Sequence, residues 1–226
     1  MSFDVYYLIL VVPALLLSMW AQVQVKTTFE RFSKEAVARG MTGAQAAAYL
    51  LKTNNITDVK IEKVAGNLTD HYDPSHKVLR LSEPVYGKAS IAAVGVAAHE
   101  TGHAIQHATK YGPLVLRSTL VPVANIGSAV GPTLAILGLV LSFGFLVDLG
   151  LLLFAGAVLF YVVTLPVEFN ASRRAIAILG KSGAMNQDEL KGVKKVLSAA
   201  AMTYVASALS AIGNFVRLLL ISRNRR

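Results

Sequence analysis

The chain of 226 residues contains no cysteine. That excludes disulfide scaffolds, cysteine-ligated metal sites and thiol nucleophiles together. It leaves the compartment open, because a cysteine-free chain suits either side of a membrane. Charge is scarce as well. Asp, Glu, Lys and Arg make up 15% of the residues, against about 25% in an ordinary soluble domain. Acidic groups are the scarcer kind, 13 against 22 basic ones, for a formal net charge of +9. Such an excess serves nucleic acid, an anionic membrane surface or the cytoplasmic flanks of a membrane protein. No basic stripe interleaves with aromatics here, and the Lys and Arg residues lie beside apolar segments, so no nucleic-acid partner is expected. Internal repeats, low-complexity tracts and flexible linkers are also missing.

What the sequence has in quantity is apolar surface. Hydrophobic residues make up 54%, and mean hydropathy is +0.52. Residues 5–23 carry no charge and match the length of a hydrocarbon core. No basic region precedes them, so a retained anchor is expected rather than a signal peptide. Residues 120–145 and 149–167 form an apolar pair with Asp148 and Gly150 at the junction, the pattern of a helical hairpin. Pro122 and Pro132 are tolerable in a membrane helix and can kink it. Residues 197–216 are a fourth, weaker candidate span, rich in Ala, Ser and Gly.

A polar portion occupies residues 24–117 and is completed by 168–195. Helices are expected over 27–39, ended by Gly40, and after Thr42 as cap. Residues 58–64 alternate as a strand does, 69–75 read as a turn-rich loop, and 78–81 as a second short strand. Residues 90–109 read as an Ala-rich helix. The expected fold class is therefore mainly α: multi-span membrane helices plus a small α+β portion with short strands, in one domain spanning 1–226. Lys26, Arg31, Lys34 and Arg39 follow the first span, and Lys110, Arg117, Arg173, Arg174 and Lys181 flank the hairpin base. The positive-inside rule places this portion in the cytoplasm of a multi-pass plasma-membrane protein. If the fourth stretch spans, Arg223, Arg225 and Arg226 end outside, against that rule.

Residues 99–103 read His-Glu-Thr-Gly-His. On a helix, positions i and i+4 share a face, so His99 and His103 can bind one metal ion. Glu100, beside that face, can take a proton from the attacking water. This is the H-E-x-x-H pattern of zinc peptidases. The alternative is an ordinary helix with two surface histidines. Three of the five histidines fall in this one helix. Gly102 in a helix interior costs about 1 kcal/mol relative to Ala, which a close helix neighbour would justify. A catalytic zinc takes three protein ligands and one open position. A third histidine is excluded, since Gln106 and Thr109 stand where the longer motif needs Gly and His. His107 lies about 12 Å along the helix from His99, too far to share the ion, and is expected as a surface or supporting residue. Glu168 follows the third span, and a hairpin that crosses and returns brings it near the motif helix. Its competing role is a carboxylate paired with Arg173 or Arg174.

The stretches LTDHYDPSHKVLRLS at 68–82, AAHETGHAIQHA at 97–108 and LPVEFNASRRA at 165–175 resemble the neutral zinc metallopeptidases of bacterial membranes, the YugP type. That family is distantly similar to the HtpX-type and CAAX-prenyl endopeptidases. The resemblance implies one Zn²⁺ held by His99, His103 and Glu168, with Glu100 as general base, and a polypeptide substrate, membrane proteins included. Those relatives carry Asp four residues after the ligand Glu, where this chain has Ser172, so support of the site must differ. It further implies that the strand at 78–81 pairs with the substrate backbone. His71, Tyr72, Asn170 and Arg173 are candidates for substrate or transition-state contacts. Two other readings stand beside this one. An intramembrane zinc protease would take Asp148, before Leu149 and Gly150, as its carboxylate ligand. A non-catalytic zinc-binding membrane protein would have no need of Glu100.

Overall fold

The structure, a computed structural model, describes residues 4–224. Arg225 and Arg226 lie outside the described residues. The described chain is mainly helical with one small sheet, and packs as two compact units. Elements run in the order α1 (Val12–Phe32, preceded by a π-helical stretch Tyr7–Val11), α2 (Gly43–Thr53), β1 (Lys60–Val64), β2 (His71–Asp73) and β3 (Val78–Ser82). They continue with α3 (Glu83–Tyr86), α4 (Ile91–Ala108), α5 (Gly112–Val140), α6 (Gly144–Lys181) and α7 (Gln187–Asn224).

The first unit comprises residues 1–22, 115–166 and 202–226. Four helices, Tyr7–Phe32, Gly112–Val140, Gly144–Lys181 and Gln187–Asn224, are long and apolar enough to cross a membrane, with mean hydropathies of 2.0, 1.7, 2.4 and 1.7. The helices of the pair meet closely. A Cβ on Gly127, Gly131 or Gly138 of α5, or on Gly150 of α6, would collide with the partner helix's backbone. Ala135, Val147, Leu151, Phe154, Ala157 and Leu218 form this unit's buried apolar cluster. The hairpin turn falls at 141–143, with Ser142 at φ 53, rather than at Asp148 and Gly150, which lie inside α6. Pro122 and Pro132 sit within α5. At the far end of this unit Arg217 Nε donates to Asp4 at 2.6 Å, and Asn224 Nδ2 to the Tyr6 hydroxyl at 2.9 Å. The start of the first apolar helix and the end of the last therefore lie side by side, and Asp4 gives the basic C-terminal end a counter-charge.

The second unit comprises residues 23–114 and 167–201. Thr42 caps α2, accepting from the Gln45 N–H while the Gln45 side chain accepts from the Thr42 N–H. Ser90 caps α4. The helix expected over 27–39 ends at Phe32 instead. Backbone pairing of Glu35, Ala36 and Val37 with residues 89–91 takes over from helical bonding there. The sheet order is β1-β3-β2, with β1 parallel and β2 antiparallel to β3. The stretch expected as a loop at 69–75 thus contains a strand, closed by a turn in which Asp73 accepts from the N–H groups of Ser75 and His76.

Strand β3 is the centre of the sheet, buried along its length, with a neighbour on each edge. The expectation that 78–81 adds to a substrate strand is therefore overturned, because its backbone hydrogen bonds are already shared with β1 and β2. Helix α4 is buried on nearly every side. Ala92, Val94 and Ala98 pack into a cluster with Leu50, Ala175, Leu179, Val193, Val196 and Leu197. Ala93 and Ala97 pack against Leu79, Leu81 and Val85. Small side chains let α4 sit at the centre of this unit, and that fixes the position of its polar face.

Candidate metal centre

Helix α4 presents His99 and His103 one turn apart, with ring centroids 4.8 Å apart and planes at 86°. From α6, Glu168 Oε2 lies 3.2 Å from His99 Nε2 and 3.5 Å from His103 Nε2. One ligand atom from each residue falls within 4.8 Å of the others, the one group of this kind among the described residues. Asp148 is not in it and belongs to the other unit. Glu168 is 2% exposed and His103 8%.

The donor set suits zinc. Two imidazoles and one carboxylate are ligands of intermediate softness. Zinc bonds of about 2.0–2.2 Å in a tetrahedron put ligand atoms about 3.3 Å apart. The two imidazole–carboxylate separations match that edge length.

Gly102 explains why α6 comes so near. A Cβ at this position would lie 2.7 Å from the Ala171 carbonyl oxygen. The absent side chain lets α4 pack directly on the backbone of α6, three residues after Glu168. Burial disfavours a charged His103, yet its pKa is raised above 6.5, because the Glu168 hydrogen bond and the charges of Glu100 and Glu168 outweigh that cost. A metal cation answers the same field. Glu100 is itself buried on α4.

Both imidazoles have a partner on their outer nitrogen. His99 Nδ1 is 3.1 Å from Ser172 Oγ, so Ser172, four residues after Glu168, reaches His99 through its hydroxyl. His103 Nδ1 is 3.0 Å from Gln106 Oε1. Sequence reasoning did not single out Gln106. Its position three residues after His103, on the same helix face, was the available signal.

The other candidates take different places. Asn170 Oδ1 accepts from Gln106 Nε2 at 3.0 Å and from Arg174 Nε at 2.8 Å, which commits it to the support of the site. Arg173 is exposed on α6. His71 is exposed and its Nδ1–H donates to the Thr69 carbonyl at 2.8 Å. The Tyr72 hydroxyl is 2.8 Å from His107 Nδ1. That bond ties β2 to α4 and gives His107 the role of anchor. Burial pushes the Tyr72 phenol up to about 12, so it stays neutral at physiological pH.

A family described as "Putative neutral zinc metallopeptidase" matches residues 7–223. The chain belongs to this family. It is 50% identical over 220 residues to the "Putative membrane protease YugP" of Bacillus subtilis (strain 168), covering 97% of this chain and 98% of that protein. No solved structure matches. The zinc that the family's description names and the donor set of α4 and α6 agree.

Proposed function

We propose that this member of the family is a membrane-bound endopeptidase that holds one zinc ion with His99, His103 and Glu168 and uses Glu100 as general base. The observation that carries the reading is the placement of Glu168 Oε2 at 3.2 and 3.5 Å from the two imidazole Nε2 atoms. When bound, zinc supplies the Lewis acidity that acidifies a water and polarises the scissile carbonyl. The Glu100 carboxylate takes the proton from the attacking water and returns it to the leaving amide nitrogen. Its place next to His99 on one helix turn keeps it beside the ligand face without joining it.

The substrate is a polypeptide. With β3 enclosed, the sheet edge beside the motif helix is that of β2, held to α4 by the Tyr72–His107 bond. An extended peptide adding there gains backbone hydrogen bonds on the sheet that packs against the motif helix. The basic residues that flank the apolar helices support a site at the cytoplasmic surface of the plasma membrane. The test is Glu100→Gln in the full chain in detergent. The reading expects zinc retained and proteolysis of an unfolded protein substrate lost. Wild-type turnover in that variant would remove Glu100 from its role.

A further inference from the structure

Behind His103 runs a chain of hydrogen bonds whose direction is fixed by its ends. The Arg174 guanidinium can only donate. Its Nε reaches Asn170 at 2.8 Å, which makes the Asn170 atom there the carbonyl oxygen. Gln106 Nε2 donates to that same oxygen at 3.0 Å and to the Val167 carbonyl at 2.8 Å. Both partners are acceptors, so the nitrogen of the Gln106 amide must face them. The Gln106 oxygen then faces His103 Nδ1 at 3.0 Å. An oxygen there requires a proton on Nδ1, and the lone pair of Nε2 is left for the metal. Gln106 is fully buried, so water does not compete for either end of its amide.

We infer that Gln106 is a positioning residue for the metal, oriented by Asn170 and Arg174, which sets the tautomer of His103 and holds that ligand at a fixed distance from Glu168. The inference rests on the zinc reading above. Two features make Gln106 more than a core hydrogen bond. First, it joins one ligand on α4 to the Val167 carbonyl, the backbone unit immediately before the other ligand on α6. Second, it must be an amide. A carboxylate at this position would set an oxygen against the Val167 and Asn170 oxygens, and an apolar side chain would leave His103 Nδ1 without an acceptor in a buried place. His99 has no such control, since the Ser172 hydroxyl can donate or accept.

The test measures zinc affinity of the full chain in detergent by competition with a chelator. Visible spectra of the cobalt(II)-loaded proteins report coordination geometry. Wild type, Glu168→Ala, Gln106→Met, Asn170→Leu and Asn170→Asp are compared. Loss of an outer partner of a ligating imidazole weakens metal binding by about 10–100-fold, so that loss is expected for Gln106→Met and in part for Asn170→Leu, with altered cobalt spectra. Asn170→Asp keeps the acceptor oxygen and is expected to restore the wild-type spectrum, a rescue that a merely space-filling role does not produce. Wild-type affinity and spectrum in Gln106→Met, or in Asn170→Leu should the first variant not fold, would overturn the inference. If Glu168→Ala binds zinc as tightly as wild type, the zinc reading itself falls, and that result is separate from the behaviour of Gln106.

Discussion

Gly102→Ala sets two effects of opposite sign against each other. By helix propensity the change stabilises, since Ala is better than Gly in a helix interior by about 1 kcal/mol. By packing it destabilises. The new carbon would lie 2.7 Å from the Ala171 carbonyl oxygen, where ordinary contact begins at 3.4 Å. The obstacle is backbone, not a side chain that can swing aside, so α4 and α6 must separate by about 0.7 Å to restore ordinary contact. Overpacking of this kind costs about 1–3 kcal/mol, which exceeds the propensity gain over most of its range. The site magnifies the effect. Metal–ligand distances tolerate only about 0.2 Å, while Glu168 approaches the imidazoles from the helix that would move. Zinc affinity should fall by about tenfold or more, equivalent to 1.4 kcal/mol, even if the fold survives. Chelator competition and thermal unfolding of the metal-free protein check the two parts separately. Undiminished zinc affinity with a raised unfolding temperature would refute the close helix contact.

Two further outcomes follow from the same unit. Thr42→Ala removes the α2 cap oxygen that Gln45 N–H uses, and should cost about 1 kcal/mol in thermal or denaturant unfolding. Burial raises the Asp70 carboxyl above its ordinary 3.8, although the Ser82 N–H and hydroxyl hydrogen bonds pull the other way. A raised acid favours its neutral form in the fold, so its contribution is most favourable below the unfolded value and is lost as pH rises through the folded one. Asp70→Asn should therefore gain stability relative to wild type as pH rises above the ordinary Asp value of about 3.9, as read by unfolding temperature. A difference that does not change with pH would contradict the shift.

The elements legible in the sequence were those with a local cause. The motif helix was legible over 90–109 from its Ala-rich run, and Thr42 as a cap marked the start of α2. The apolar hairpin is enough to bring Glu168 toward the histidines. Where the outcome depended on partners distant in sequence, local reading failed. Strand β2 is three residues long and is followed by Pro74, so it reads as a turn. Its strand character comes from pairing with β3. The same pairing turned β3 from an open edge into a centre. Helix α1 stops at Phe32 because residues 35–37 bond to the segment before α4. The supporting role of Gln106 went unread because its meaning lies in Val167 and Asn170, 61 and 64 residues away.

The most direct test of the account is the zinc content of the purified full chain in detergent, by elemental analysis, for wild type, Glu168→Ala and Asp148→Ala. One zinc per chain is expected in wild type and in Asp148→Ala, and loss of zinc in Glu168→Ala. Zinc that survives Glu168→Ala, or departs with Asp148→Ala, would contradict it.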